Sequence, residues 1–407
     1  MFCSSRKCGF PYMINKKMQG LGSRRSSIRE LFEYGKKRRR EVGDDQVFDF
    51  SLGNPNVPAP KEVEDEIRRL LDTESSVSLH GYTSAEGDMA VRRKIADYIN
   101  ESYGEVITPE CIYMTVGASA AITITLKAIA LEGEEVIAIV PCFPEYRVFV
   151  ENSGSKFVPV PARDDFSLDI EAIRAAINEN TAAVMINSPN NPTGAIYSKE
   201  SIIELSKMLD DMSKKLGKTI YLISDEPYRE LVYDGMEVPF VTKYYDNTII
   251  CYSFSKSLSL PGERIGYILI SPRMEDSSDV RAAICGAGRS LGFVCAPSLL
   301  QKLVACCLGK TADISIYDRN RKMLLSALTE YGYEVIEPQG AFYLFIKSPS
   351  GDGVEFSERA KAMDVLIVPS NDFGRDGYAR LSYCVETEMI ERALPRFKKI
   401  IEGYKND

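Results

Sequence analysis

The chain reads as an α/β protein, with a large domain on a mostly parallel sheet flanked by helices and a smaller α+β domain. Three observations predict this. Between about residues 85 and 270, short apolar runs alternate with amphipathic helical stretches, as expected of strands buried on both faces by intervening helices. After about residue 300, long helical stretches precede short strands and a last helix, an α+β texture. With 407 residues, 44% of them hydrophobic, the chain can fill two or three domains around a substantial core.

The elements follow in order. Residues 1–25 read as an N-terminal extension or arm, and 26–60 as the N-terminal part of the small domain. Residues 61–295 read as the large domain, and 296–407 as the C-terminal small domain. Ser27-Ile28-Arg29-Glu30 has the capping-box pattern and predicts a helix that ends before Gly43. Asp49–Leu52 reads as a short extended segment, and Gly53-Asn54-Pro55-Asn56-Val57-Pro58 as a turn-rich loop. Pro60 suits the first turn of the next helix, where Val63, Ile67 and Leu70 or Leu71 recur at helical spacing. Helices are predicted over Ala90–Asn100, Ala118–Ala130, Ile170–Asn178 and Lys199–Leu216. Strands are predicted at Ile112–Val116, Glu135–Val140, Ala182–Asn187, Ile220–Ser224, Thr248–Ser253 and Ile265–Ile270. Long helical stretches near 277–308 and 311–331 come next, then strands at Ala341–Lys347, Leu366–Val368 and Tyr378–Ser382. A last helix runs near Glu386–Tyr404.

Composition excludes several classes. No run approaches the ~20 apolar residues of a membrane span. Arg6 and Lys7 are not followed by the apolar stretch of a signal peptide. Ten cysteines without a Cys-x-x-Cys pair, beside the single His80, point away from a metal site and towards a reduced cytoplasm. Residues 1–40 hold twelve Lys/Arg and two acids, a net of +10, so residues 41–407 carry −18 of the chain's total of −8. Lys36-Lys37-Arg38-Arg39-Arg40 reads as a helix end where cations suit the macrodipole, because the acidic body would repel nucleic acid. Met1–Tyr12 reads as a start-site extension, with Met13 or Met18 as the start. Gly309-Lys310-Thr311 is no phosphate loop, since Val304 stands where its first glycine is needed.

The chemistry concentrates in a few motifs. Lys256 lies in Ser253-Phe254-Ser255-Lys256-Ser257 after a strand, and Arg264 follows eight residues later. Asp225 ends an apolar strand, where open α/β sheets bind ligands, and Tyr228 comes three residues on. Asn191 opens the tight turn Asn191-Pro192-Thr193-Gly194; Asn190 is adjacent, but the Pro192 register favours Asn191. Gly117-Ala118-Ser119 joins a strand to a helix N-terminus, which attracts anions. Arg380 lies in a short strand and offers a fork that fits a carboxylate.

Read together, these motifs resemble the fold-type I, class I/II pyridoxal-5'-phosphate (PLP) aminotransferases, bacterial aspartate aminotransferases in particular. The resemblance runs from about residue 45 to the end and implies the PLP-dependent transferase fold. It implies that Lys256 holds the cofactor aldehyde as a Schiff base and carries the proton, and that Asp225 pairs with the ring nitrogen. Tyr228 and Asn191 would meet the ring oxygen, and Phe143 would stack on the ring. Gly117, Ala118, Ser119, Ser253, Ser255 and Arg264 would seat the phosphate, with Tyr82 lent from the other subunit of a homodimer. Arg380 would clamp the substrate α-carboxylate, and Gly53 and Asn54 would lie on the mobile substrate-side loop. Arg289 falls roughly where one subfamily supplies, from the partner subunit, a cation for a side-chain carboxylate. The implied reaction is ping-pong transfer of an amino group from an L-amino acid, with aspartate or glutamate expected, to a 2-oxo acid. Aromatic amino acids or alanine are alternative donors. Two other readings stand beside it: a PLP-dependent C–S β-lyase sharing every cofactor residue, and a regulatory PLP-binding module, for whose usual DNA-binding domain residues 1–50 are too short.

Overall fold

The computed structural model describes residues 14–23 and 26–406. The expected start-site extension Met1–Tyr12, and Arg6, Lys7, Arg24 and Arg25 of the basic arm, lie outside the described residues. The strands in chain order are β1 (Phe48–Asp49), β2 (Ile112–Thr115), β3 (Glu135–Val140), β4 (Lys156–Pro161), β5 (Thr181–Asn187) and β6 (Tyr221–Asp225). They continue as β7 (Thr248–Ser253), β8 (Gly266–Ile270), β9 (Tyr343–Lys347), β10 (Val365–Leu366), β11 (Val368–Pro369) and β12 (Tyr378–Ser382).

A seven-stranded sheet in the order β2-β8-β7-β6-β5-β3-β4 carries the large domain. Its strands run parallel except β8, which is antiparallel to both neighbours. Strand residues point alternately to the two faces. Val136, Ala138 and Val140 of β3 pack towards the helices Ala118–Ile129 and Ser277–Leu291. Ile137 and Ile139 pack the opposite way, towards Ile170–Ala176 and Lys199–Leu216. Covering both faces explains why these strands are apolar throughout. Each fully buried Leu or Ile on these faces contributes about 1.5–3 kcal/mol, so a core change such as Ile137→Ala would cost about 2–5 kcal/mol.

The rest of the chain forms a smaller layer. Strands β11-β12-β9 make an antiparallel sheet, and β1 pairs in parallel with β10. The N-terminal segment and the end of the chain therefore meet, with the Phe50 and Phe397 rings tilted against each other at 5.7 Å. Part of the basic cluster is spent on this junction. Arg38 Nε lies 2.7 Å from Asp364, and Arg39 Nη2 lies 3.4 Å from Asp49.

Four local expectations are corrected. The β4 segment Lys-Phe-Val-Pro-Val-Pro carries no strand signal because Pro159 and Pro161 cannot donate to a ladder; it is an edge strand, where proline is tolerated. The stretch 277–308 is two helices, Ser277–Leu291 and Ser298–Cys306. Gly292 stops the first in a left-handed conformation (φ 78°), and Pro297 precedes the second. The run Leu366–Val368 splits between two partners, with β10 pairing to β1 and β11 to β12. The capping box at Ser27 does not form. Ser26 is the N-cap, and the Ser27 hydroxyl instead donates to Asp372 at 2.7 Å, tying this helix (Ser27–Val42) to the C-terminal region.

Candidate active site

Strands β5, β6 and β7 end side by side, and their carboxyl ends form the floor of a cavity of about 280 Å³. Asp225 is the last residue of β6. Its Oδ2 accepts a hydrogen bond from the buried Tyr146 hydroxyl, while its Oδ1 is buried with no partner. Burial, against the Tyr146 hydrogen bond and helped by the Glu226 charge, pushes the Asp225 carboxyl up to about 7. Lys256 sits in the single turn Phe254–Ser257 that follows β7, started by Ser253, whose hydroxyl accepts from the Ser255 N–H. Its Nζ donates to the Gly53 carbonyl at 2.7 Å. Burial pulls its ammonium down to about 8; the Cys384 thiol opposes this, and the Arg380 and Arg264 cations add to it.

Asn187, which ends β5, was missed in the sequence except as a strand residue. Its amide donates to the Asp225 carbonyl at 2.9 Å and accepts from the Asn191 N–H at 2.8 Å. One side chain thus holds both the acid's backbone and the following turn. The two adjacent asparagines separate cleanly. Asn190 spends its oxygen on the Thr193 N–H and hydroxyl, building the turn, whereas Asn191 lines the cavity and accepts from Arg380 Nη1 at 3.1 Å.

The anion seat lies where β2 passes into the helix Ala118–Ile129. Gly117 has φ 88°, and a Cβ there would stand 2.7 Å from Arg264 Nη2. Only glycine both adopts that backbone and lets the guanidinium approach. Ala118, Ser119, Ser253, Ser255 and Arg264 line the cavity at this end, and Phe143 presents a ring beside Tyr146. Backbone N–H groups, hydroxyls and a guanidinium together suit a phosphate.

At the other end stands Arg380, in β12 and only 2% exposed. Its Nη2 donates to the Ser51 carbonyl at 2.6 Å, and its Nε is buried without a partner. Tyr343, Gly53, Tyr228 and Ile28 complete this wall. Tyr146, Tyr343 and Ile28 carried no sequence signal, because an aromatic or aliphatic residue in a regular element reads as core. Four expected residues do not line the cavity of a single chain; Gly117 stands behind it, against Arg264. Tyr82 is 99% exposed, Arg289 is exposed at the end of its helix, and the Asn54 side chain faces outward while its carbonyl meets Cys384 Sγ at 3.2 Å.

The residues present fit PLP. The orphan Asp225 oxygen needs a cationic N–H partner, the Lys256 amine has a lowered proton affinity, and the anion seat lies within the same cavity. Among the described residues no group of three or more His, Cys, Asp or Glu could hold a metal ion, and no helix is long and apolar enough to cross a membrane.

The chain is similar to known proteins over almost its whole length. The family model for aminotransferase class I and II matches residues 45–397. An aspartate aminotransferase of Pyrococcus horikoshii is 30% identical over 393 residues, spanning 94% of this chain and 96% of the relative. An amino transferase from Eubacterium rectale superposes with a TM-score of 0.95 at 51% identity, over 97% of this chain and all of that one. An aspartate aminotransferase of Thermus thermophilus, solved with maleate, gives a TM-score of 0.83 at 27% identity, over 96% of this chain and all of that one. The chain belongs to the class I and II aminotransferases and is a PLP-dependent transferase of the fold-type I architecture expected above.

Proposed function

We propose that this aminotransferase takes its amino group from L-aspartate or L-glutamate, passes it to a 2-oxo acid, and does so with PLP held on Lys256. One observation carries the site assignment: Lys256 Nζ, the unpartnered Asp225 Oδ1, Arg264 and Arg380 line a single cavity. When bound, PLP supplies an electron sink for the bond broken at the substrate Cα. Asp225 would accept from the ring nitrogen, and that cation would relieve the buried carboxylate. Tyr228 and Asn191 would donate to the ring oxygen, and Phe143 would flank the ring. Gly117, Ala118, Ser119, Ser253, Ser255 and Arg264 would hold the phosphate. Lys256, with an amine titrating near 8, releases and retakes a proton at Nζ close to neutral pH. Arg380 forks the α-carboxylate, and the loop at Gly53 and Asn54 closes behind it.

The donor reading draws on the named relatives, two of them aspartate aminotransferases and one of these solved with the dicarboxylate maleate. The described residues lining the cavity include three cations, Lys256, Arg264 and Arg380, all used above. A distal carboxylate therefore calls for a cation from a second subunit, with Arg289 as the candidate. A homodimer would also bring Tyr82 to the phosphate; its full exposure beside Val77, 84% exposed, suits a surface that a partner covers. Eight free cysteines among the described residues fit a reducing cytoplasm. None of the named relatives is a C–S lyase, and nothing in the cavity favours that reading.

The test is a half-reaction. Purified holoenzyme is mixed with each amino acid in turn while the cofactor absorbance is followed, and a 2-oxo acid is then added to restore it. L-Aspartate and L-glutamate should react fastest. Pyruvate and ammonia released without an amino acceptor, or no response to either dicarboxylate, would overturn the proposal.

A further inference from the structure

We propose that Tyr343 is a positioning residue that couples the substrate end of the cavity to the cofactor end, acting through Arg380 on one side and Tyr228 on the other. The proposal rests on the roles assigned to those two residues above. Tyr343 touches both. The Arg380 guanidinium lies over its ring, 4.6 Å from the centroid, and the Tyr343 hydroxyl lies 2.9 Å from the Tyr228 hydroxyl.

The ring contact matters because hydrogen bonds alone do not fix the Arg380 plane. Nη1 and Nη2 are held by Asn191 and the Ser51 carbonyl, but Nε has no partner. Two aromatic faces restrict the remaining tilt, Tyr343 at 4.6 Å and Phe373 at 5.1 Å from the guanidinium carbon, and the nearer Tyr343 attracts the cation more strongly in a desolvated site. The Tyr343 ring is itself held. Phe342 meets it edge-on at 4.9 Å and meets Tyr228 at 5.5 Å. A Cβ on Gly53 would run into the Tyr343 hydroxyl, so the loop passes here only as glycine.

The hydroxyl contact has a direction. A tyrosine hydroxyl carries one hydrogen. If Tyr228 gives its hydrogen to the cofactor oxygen, the hydrogen between the two tyrosines must come from Tyr343. Burial raises both hydroxyls, and the Arg380 cation opposes this at each. Donation into Tyr228 polarises its own O–H towards the cofactor. A change in how Arg380 sits, on binding a carboxylate, would reach the cofactor oxygen through this ring as well as through Asn191.

Two substitutions separate the two arms, each made in the holoenzyme and read by two measurements. The first is the pH midpoint of the bound cofactor's visible absorbance; the second is the KM for L-aspartate in the half-reaction. Tyr343→Phe keeps the ring and loses the donor. Its midpoint should move in the same direction as that of Tyr228→Phe, by roughly half a unit, with KM changed less than about threefold. Tyr343→Leu loses both, and KM should rise about tenfold or more as the cation–π contact goes. A Tyr343→Phe titration that superposes on wild type, or a Tyr343→Leu KM within twofold of wild type, would overturn the coupling. A Tyr228→Phe midpoint equal to wild type would instead remove the assignment of Tyr228 beneath it, and L-aspartate inert with wild type would remove the donor assignment.

Discussion

At the cofactor end of the cavity, Asp225, Lys256 and the Gly117–Ser119 turn follow strands β6, β7 and β2 of one sheet, whereas at the substrate end Ile28, Gly53, Tyr343 and Arg380 arrive from four segments between residues 28 and 380. The first group is placed by a single cooperative hydrogen-bonded ladder. The second depends on the N-terminal segment and the C-terminal layer keeping their places against the large domain. Changes at the cofactor end should damage every reaction alike, while changes at the substrate end should discriminate between substrates or be graded.

The sharpest challenge to this contrast is Lys256→Ala. Turnover should fall by more than about a thousandfold for every donor, since the group that moves the proton is gone. PLP should nevertheless remain with the protein after desalting, held by Arg264 and the phosphate seat. A variant that keeps turnover within tenfold of wild type would end the assignment.

Asp225→Asn comes next, with a loss of about 10²–10³ in turnover and an opposite effect on stability. In the cofactor-free protein burial pushes the folded carboxyl up to about 7, from an ordinary aspartate value of about 3.9. The folded pKa is raised, so the stability it contributes is full below about pH 4 and is lost as pH rises through 7. The variant cannot titrate there. Its advantage over cofactor-free wild type should grow from near zero at pH 4 to on the order of a few kcal/mol at pH 8, as read by denaturant melts at both pH values. Parallel pH profiles for the two proteins would contradict the orphan carboxylate.

Arg380→Lys tests the substrate end. Losing the planar fork should lower kcat/KM by about 10–100-fold for all donors, because all share the α-carboxylate. The smallest and most selective effect is expected for Arg289→Ala: about tenfold for L-aspartate and L-glutamate, and none for L-alanine or L-phenylalanine. An equal loss across the four would make Arg289 structural.

The same contrast explains what could be read from the sequence. Apolar strands and their polar ends are local signals, so β3 and β7 emerged with their observed bounds, and Asp225 and Lys256 stood out as charges after apolar runs. The motif around Asn191 was legible for the same reason. Tyr146 and Tyr343 were not, because nothing local separates a tyrosine facing a cavity from one in a core. Their polar partners, Asp225 and Tyr228, are 79 and 115 residues away. Ser27 shows the converse failure. Its local pattern promised a capping box, but Asp372, 345 residues on, took the hydroxyl.

The reversed strand β8 has a kinetic corollary. Because β8 runs antiparallel to β7, its start lies beside the end of β7, and Lys256 and Arg264 fall within one short connection between the two. A hairpin of this kind closes a short loop, forms early and opens as one unit. Amide hydrogen exchange across 248–270 should then show a single opening free energy. Whenever that unit opens, the anchors for the aldehyde and for the phosphate are released in the same event. Cofactor escape and the opening of this unit would share one rate, and PLP would act as a clasp on the hairpin that holds it.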